Sequence, residues 1–343
     1  MPAPSRRRPL LCPTEPITGL PTWIAPQLSQ LAETAPEGDH WVHEIKLDGY
    51  RMHARLDRGQ VKLFTRTGLD WTEKYPASAK ALGKISAQQA YIDGELCAVN
   101  DSGITSFGLL QAATDNRTTG SLIFFAFDLL YLDGKNLMPE PLADRKQRLA
   151  QLLEGHERPI RYCDHQVGLG PQFYQGACKL GLEGIVSKRL DSPYMPGNRG
   201  LWLKTKCLNR EEFIVVGWTD PEGTRPHLGA LLLAYYDPDG RLTYAGRVGT
   251  GMSERELERV RRRLQPVASR TMPLDVAPPR ASRFGSPLEL SRVHWVRPEL
   301  VVEVNYLTWT LDNLLRQVAY VGMREDKPAR DVQRPVPHPK GGD

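Results

Sequence analysis

The sequence has no G-x-x-x-x-G-K-[ST] loop and no G-x-G-x-x-G after a strand-like run. The common glycine-rich phosphate cradles are therefore not supported, and any phosphate must be held by side chains. Cysteine is scarce: Cys12, Cys97, Cys163, Cys178 and Cys207 are odd in number, scattered, and never in C-x-x-C spacing. That suggests neither a disulfide framework nor a zinc site, and it fits a reducing compartment. No run approaches the ~18 apolar residues of a membrane span, because Asp128 interrupts the best candidate, SLIFFAFDLLYL. The amino terminus has arginines but no apolar signal-peptide segment. No repeat at a fixed period is visible. The expectation is a soluble, non-secreted chain.

The 343 residues suffice for two domains, each with its own core. With 30 Gly and 28 Pro beside 40% hydrophobic residues, strands and turns are favoured over a helical bundle. The balance of 45 Lys+Arg against 40 Asp+Glu, net +5, permits a polyanionic partner without demanding one. Basic residues cluster at Arg6, Arg7 and Arg8 and again at Arg259, Arg261, Arg262 and Arg263. Either run alone also reads as a solvated face.

Residues 1–20, rich in Pro, Arg and Thr, read as a leader. From about residue 40, short apolar runs alternate with Gly, Pro and Asp breaks: WVHEIKL, VKLFT, AYIDGELCAV, LIFFAFDLLYL. These have strand length and spacing. PLADRKQRLAQLLEG and GPQFYQGACKLG carry helical periodicity. The mixture predicts an α+β domain with largely antiparallel sheets over residues 21–208. Beyond it, LNREEFIVVGWTD, GALLLAYYD and RLTYAGRVG precede a helix whose Ser253 and Glu256 have capping-box spacing, and strands resume at ELVVEVNYLTW. Over residues 211–332 this pattern suits an all-β, five-stranded barrel of the OB type, leaving 333–343 as a tail.

In HEIKLDGYR, an extended chain would place Glu44, Lys46 and Asp48 on one face. A lysine against a low-dielectric wall and near other cations loses part of its preference for the charged form, and the neutral amine is a nucleophile. Tyr91, Asp93 and Glu95 share a face opposite Ile92 and Leu96, as Trp202, Lys204 and Lys206 do opposite Leu203 and Thr205; EGIVSKR adds Glu183 and Lys188. Each segment alone also reads as a strand with a solvated outer face. Together they supply cations for phosphate oxygens, carboxylates for Mg²⁺ or a ribose hydroxyl, and in Phe127 a stacking surface for a base.

Lys46-Leu47-Asp48-Gly49-Tyr50-Arg51 is similar to the K-x-D-G-x-R signature of covalent nucleotidyltransferases, the superfamily of DNA ligases, RNA ligases and mRNA capping enzymes. TRTG at 65–68, DGE at 93–95, FAFDLLY at 125–131, EGIVSK at 183–188 and WLKTKC at 202–207 follow in that superfamily's order. Over residues 20–332 the chain most resembles the ligase module of bacterial end-joining DNA ligase D. That likeness includes PTWIAPQLSQLAETAP, RPELVVEVNY and MREDKPARDV. It departs where that group usually reads Arg-His-Pro-x-Phe, since this chain has Arg316-Gln317-Val318-Ala319-Tyr320.

The resemblance implies a nucleotidyltransferase domain followed by an OB domain that closes on the nucleotide and reopens on DNA. It implies ATP and Mg²⁺ (or Mn²⁺) as cofactors, with Lys46 carrying AMP as a phosphoramidate. Arg51 and Arg66 would hold phosphate or ribose groups, and Glu95 would take the ribose hydroxyl and share in metal binding. Phe127 would stack on adenine with Val186 on its opposite face and Glu44 nearby. Glu183 would bind the metal, Lys204 and Lys206 would stabilise the transferred phosphoryl group, and Arg324 and Lys327 would act on pyrophosphate. Arg261, Arg262 and Arg263 would contact DNA.

The implied partners are nicked or broken double-stranded DNA and a Ku-type end-binding protein. The implied setting is the cytoplasm of a bacterium, at the nucleoid, with the chain a monomer. Polymerase and phosphoesterase modules do not fit in this length, so a stand-alone ligase is expected. An RNA ligase, a capping guanylyltransferase and a catalytically inactive DNA-end-binding protein are the alternative readings.

Overall fold

The computed structural model describes residues 19–156, 158–221, 226–279, 288–310 and 312–334. Most of the expected leader, with Arg6–Arg8, most of the tail, and part of the proline-rich connection before Leu288 lie outside them.

Two sheets form the first part of the molecule. In one, Tyr50–Asp57 and Gln89–Cys97 are central, flanked by Gln60–Thr65 on one side and Ile123–Leu132 and Lys135–Asn136 on the other; Ile160–Tyr162 adds to Ile123–Leu132 in parallel. Its inner face, with Met52, Ala54, Ile92, Leu96 and Leu129, packs into a core completed by Leu82 of α1 (Pro76–Leu82), Phe107 and Leu110 of α2 (Phe107–Asp115) and Leu149 of α3 (Leu142–Leu152). Alternation then turns Tyr91, Asp93 and Glu95 the other way, as the sequence predicts.

The second sheet runs Gln27–Leu31, Gly197–Lys206, Gly184–Arg189, Trp41–Ile45, Gln166–Val167, antiparallel except for its first pair. Tyr91, Phe127, Leu130 and Tyr131 from the first sheet meet Trp202 of the second and Tyr194 in a shared apolar layer. On its other side Ala177 of α4 (Gly170–Lys179) packs against Ile185.

Cys178 and Cys207 form a disulfide with their Cα atoms 5.2 Å apart. The scattered cysteines suggested no disulfide framework, and this one bridge corrects that reading. The end of α4 lies against the end of strand Gly197–Lys206, also tied by the Tyr174 hydroxyl donating to the Lys206 carbonyl (2.9 Å). A separation of 29 residues carries no spacing signal for that contact.

The remaining strands form a mostly-β, OB-like unit. Its order is Leu242–Val248, Leu231–Tyr236, Arg210–Thr219, Val301–Asn305, Ala319–Met323, and a parallel bridge between Thr250 and Ala319 links the last strand back beside the first. Val293–Trp295 is an additional strand paired to Arg210–Thr219. Leu257, Val260 and Leu264 of α5 (Glu254–Leu264) enter the core. Only half of the expected capping box forms: Ser253 Oγ accepts from the Glu256 amide (3.3 Å), while the Glu256 carboxylate takes the Tyr320 hydroxyl (2.6 Å). Among the described residues no helix is long and apolar enough to cross a membrane.

Candidate active site

A cavity of about 570 Å³ opens where the two sheets and the OB-like unit converge. Strand Trp41–Ile45 ends just before Lys46, so the extended geometry that would put Glu44, Lys46 and Asp48 on one face does not run through HEIKLDG. Two contacts fix the turn away from the sheet. The Lys46 amide donates to the Gly184 carbonyl (2.9 Å), and Asp48 accepts the Phe107 amide at the start of α2 (2.9 Å). A Cβ at Gly49 would collide with the Leu96 carbonyl and lie 2.7 Å from Cys97 Sγ. Glycine in this motif is thus required by its close approach to strand Gln89–Cys97.

Register brings distant residues abreast. Val186 faces Glu44 on one neighbouring strand and Lys204 on the other, so all three share one side of the sheet, and all three line the cavity. Phe127 lines it from the opposite sheet, its ring 6.0 Å from that of Trp202. Gly184, at φ +148°, lets its backbone lie against the Thr205 carbonyl, where a Cβ would collide. The neighbouring Glu183 points into the cavity and is ion-paired with Lys46.

That pair reverses one expectation. Burial opposes the charged form of Lys46, but Glu183, with Glu303 and Asp48 behind it, outweighs burial and holds the ammonium above the ordinary lysine value. Burial does depress Lys204, pushed down to about 8 with Lys206 contributing. Burial also pushes Glu95 up to about 7, against the pull of Lys46, Arg324 and Arg51. A carboxylate in that state is short of positive charge.

Beneath the stacking surface, Glu44 is almost fully buried between two ammonium groups, Lys146 of α3 and Lys188, each 2.6 Å from one of its oxygens. Lys188 Nζ also lies 4.1 Å from the Phe127 ring centre and 4.2 Å from that of Trp202. Burial lowers the Lys188 pKa despite Glu44. Arg51 lines the cavity but spends two donors on Asp93 (3.0 and 2.6 Å) and one on the Gln27 carbonyl (2.6 Å). Arg66 lines the same wall.

The OB-like unit closes the cavity. Arg210 at its first strand donates to Asp48 (2.7 Å) and to Glu303 (2.9 Å). Lys206 pairs with Glu211 (2.7 Å), Lys327 with Glu212, and Arg324 with Asp326 (2.9 Å) and Glu303 (3.4 Å). All of the expected nucleotide-site residues, Glu44, Lys46, Arg51, Arg66, Glu95, Phe127, Glu183, Val186, Lys204, Lys206, Arg324 and Lys327, therefore border one cavity. The sequence reading missed Lys146, Arg210 and the Glu211/Glu212/Glu303 group.

Arg261, Arg262 and Arg263 lie away from it on α5. Arg261 stacks on Trp218 (3.9 Å), Arg262 pairs with Glu258 four residues earlier (2.8 Å), and Arg263 pairs with Glu325.

The chain matches two family models: ATP dependent DNA ligase domain over residues 24–206 and ATP dependent DNA ligase C terminal region over residues 224–327. It is 43% identical over 327 residues to the multifunctional non-homologous end joining protein LigD of Pseudomonas aeruginosa, covering 94% of this chain and 38% of that protein. It is 36% identical over 315 residues to the LigD protein of Mycobacterium tuberculosis, covering 91% and 40%. The chain thus spans less than half the length of these relatives. A solved structure, mycobacterial DNA ligase D complexed with ATP and MES, superposes with a TM-score of 0.66 at 35% identity, covering 90% of this chain and 98% of that one. On these matches, which take in the lysine motif, the chain belongs to the ATP-dependent DNA ligases.

Proposed function

We propose that this chain joins a 5′-phosphate to a 3′-hydroxyl in duplex DNA through a lysyl-AMP intermediate on Lys46. The observation that carries the reading is that Lys46, ion-paired with Glu183, lines one cavity with Glu95 and the cations Lys204, Lys206, Arg324 and Lys327. The Lys46 amine attacks the α-phosphorus of ATP, forming a P–N bond as the bond to pyrophosphate breaks. A 5′-phosphate oxygen then takes the AMP from Lys46, and the 3′-hydroxyl expels AMP as the phosphodiester forms.

Phe127 and Val186, on opposing sheets, suit the two faces of a purine, with Glu44 held ionised at its edge. Arg51, locked by Asp93, offers a preorganised positive face toward phosphate or ribose, and Arg66 adds to it. Lys204 and Lys206 stabilise charge on the transferred phosphoryl group, while Arg324 and Lys327 reach pyrophosphate.

Glu95 and Glu183 fit a divalent cation, Mg²⁺ or Mn²⁺. The state of Glu95, pushed up to about 7, is that of a carboxylate awaiting positive charge. Among the described residues no three acidic, His or Cys side chains are placed to hold a metal ion by themselves, so Glu95 and Glu183 would share a cation with phosphate oxygens and water. A cation there supplies neutralisation of phosphate charge.

Similarity to LigD proteins of non-homologous end joining supports a place in that process. On this reading the substrate is nicked or broken duplex DNA, the partner a Ku-type protein and the setting the bacterial nucleoid. The test is incubation with α-labelled ATP and Mg²⁺, followed by denaturation. Wild type, freed of bound AMP with pyrophosphate, retains label and Lys46→Ala does not; label on the mutant overturns the nucleophile. Sealing of a nicked duplex, with RNA nicks and GTP as comparisons, separates this reading from RNA ligase and capping activities.

A further inference from the structure

Glu212, Glu303 and Asp326 of the OB-like unit face the cations that close the cavity. Glu212 and Glu303 stand abreast on adjacent strands, and Arg324 lies near both, 3.8 and 3.4 Å away. Asp326 already takes two Arg324 donors at 2.9 Å each, so that guanidinium does not depend on Glu212. Lys327 is different, because its ammonium pairs with Glu212, and both side chains remain partly open to the cavity at 14% and 17% exposure.

We propose that Glu212 is an internal counter-ion that occupies Lys327 while the site is empty and is displaced by the pyrophosphate portion of the nucleotide. This rests on the assignment of Lys327 to pyrophosphate. The physical reason is competition: one ammonium has three donors, and a carboxylate already on them repels an arriving polyphosphate as well as blocking it. Burial alone would raise the Glu212 pKa, yet Lys327, Arg324 and Arg66 hold it well below the usual carboxylate range. The competitor is therefore charged at every working pH. Glu212 thereby weakens pyrophosphate binding and recaptures Lys327 when pyrophosphate leaves, which favours the forward direction of the first step.

The test is calorimetric titration of inorganic pyrophosphate into the full chain, freed of bound nucleotide, at fixed Mg²⁺. Glu212→Gln is expected to tighten pyrophosphate binding about 2- to 5-fold, the range of a partly exposed ion pair. Lys327→Met is expected to weaken it, and in the double variant the Glu212→Gln gain disappears because the contested ammonium is gone. A supporting role for Glu212 would instead give weaker binding in Glu212→Gln. Unchanged or weaker binding there, with Lys327→Met still weakening, overturns the counter-ion while leaving the pyrophosphate assignment intact. No effect of Lys327→Met overturns the assignment itself. If Glu212→Gln does not fold, Glu212→Asp, which withdraws the carboxylate by one methylene, is titrated with the same expected sign.

Discussion

Lys46 and Glu183, 137 residues apart in the chain, form a direct ion pair inside the cavity. The proposed nucleophile is thus held protonated until ligands rearrange the pair. Glu183→Gln removes both the counter-charge and a proposed metal ligand. Label transfer from α-labelled ATP should fall by at least about 10²-fold, the scale of losing one charge-stabilising group in a closed site. Near wild-type labelling would remove Glu183 from the chemistry.

Glu44 lies between Lys146 and Lys188 at 2.6 Å from each, with all three side chains nearly inaccessible. Lys146→Met leaves one lysine for a carboxylate that had two. Breaking such a buried set costs about 3–5 kcal/mol, readable as a lower denaturant midpoint at unchanged slope. The double variant Lys146→Met with Glu44→Gln should recover part of that loss, and additive losses would show that the pair is not coupled.

The pKa of Glu95 is raised to about 7, so the folded chain binds a proton that the unfolded chain releases near 4.5. The corresponding stability is present below that lower value and is lost as pH rises through about 7. Denaturation of the nucleotide-free chain between pH 4.5 and 7 should show this decline, about 1–2 kcal/mol after screening. Glu95→Gln should flatten that part of the profile, and an unaltered slope would assign the decline elsewhere.

On α5 the Arg262 side chain is 73% exposed, whereas Arg263 is half exposed and paired with Glu325, and Arg261 covers Trp218. If this helix meets DNA, Arg262→Ala should lower the salt slope of nicked-duplex binding by roughly one. Arg261→Ala should instead perturb the barrel around Trp218. Equal slopes for wild type and Arg262→Ala would return the helix to a solvated face.

Much of the site was legible in the sequence because its chemistry is written in short motifs with alternating faces. DGE and WLKTKC each place charged residues at every second position, and the sheets honour that alternation. The counter-charges were not legible. Asp48 and Arg210 are 162 residues apart, and Lys327 and Glu212 are 115 apart. Nothing local distinguishes such residues from a solvated strand face. The same holds for Lys146, which reads as one more polar position on an amphipathic helix until α3 is packed under Glu44. In HEIKLDG the alternation of an extended chain holds only as far as Ile45, because the Lys46 amide bond to Gly184 and the Asp48 bond to α2 bend the chain there.

The Cys178–Cys207 bridge also limits how the molecule can articulate. Cys207 is anchored through its sulfur to α4 and through its amide to the Glu183 carbonyl (3.0 Å), while Asn209 is already committed to the barrel, its carbonyl accepting the Tyr306 amide (2.8 Å). Leu208 alone stands between these two anchorages. Any swing of the barrel that keeps both must pivot there, and because Lys206 Nζ spans the pivot to the Arg210 carbonyl (2.5 Å), the swing begins by releasing a lysine that borders the cavity.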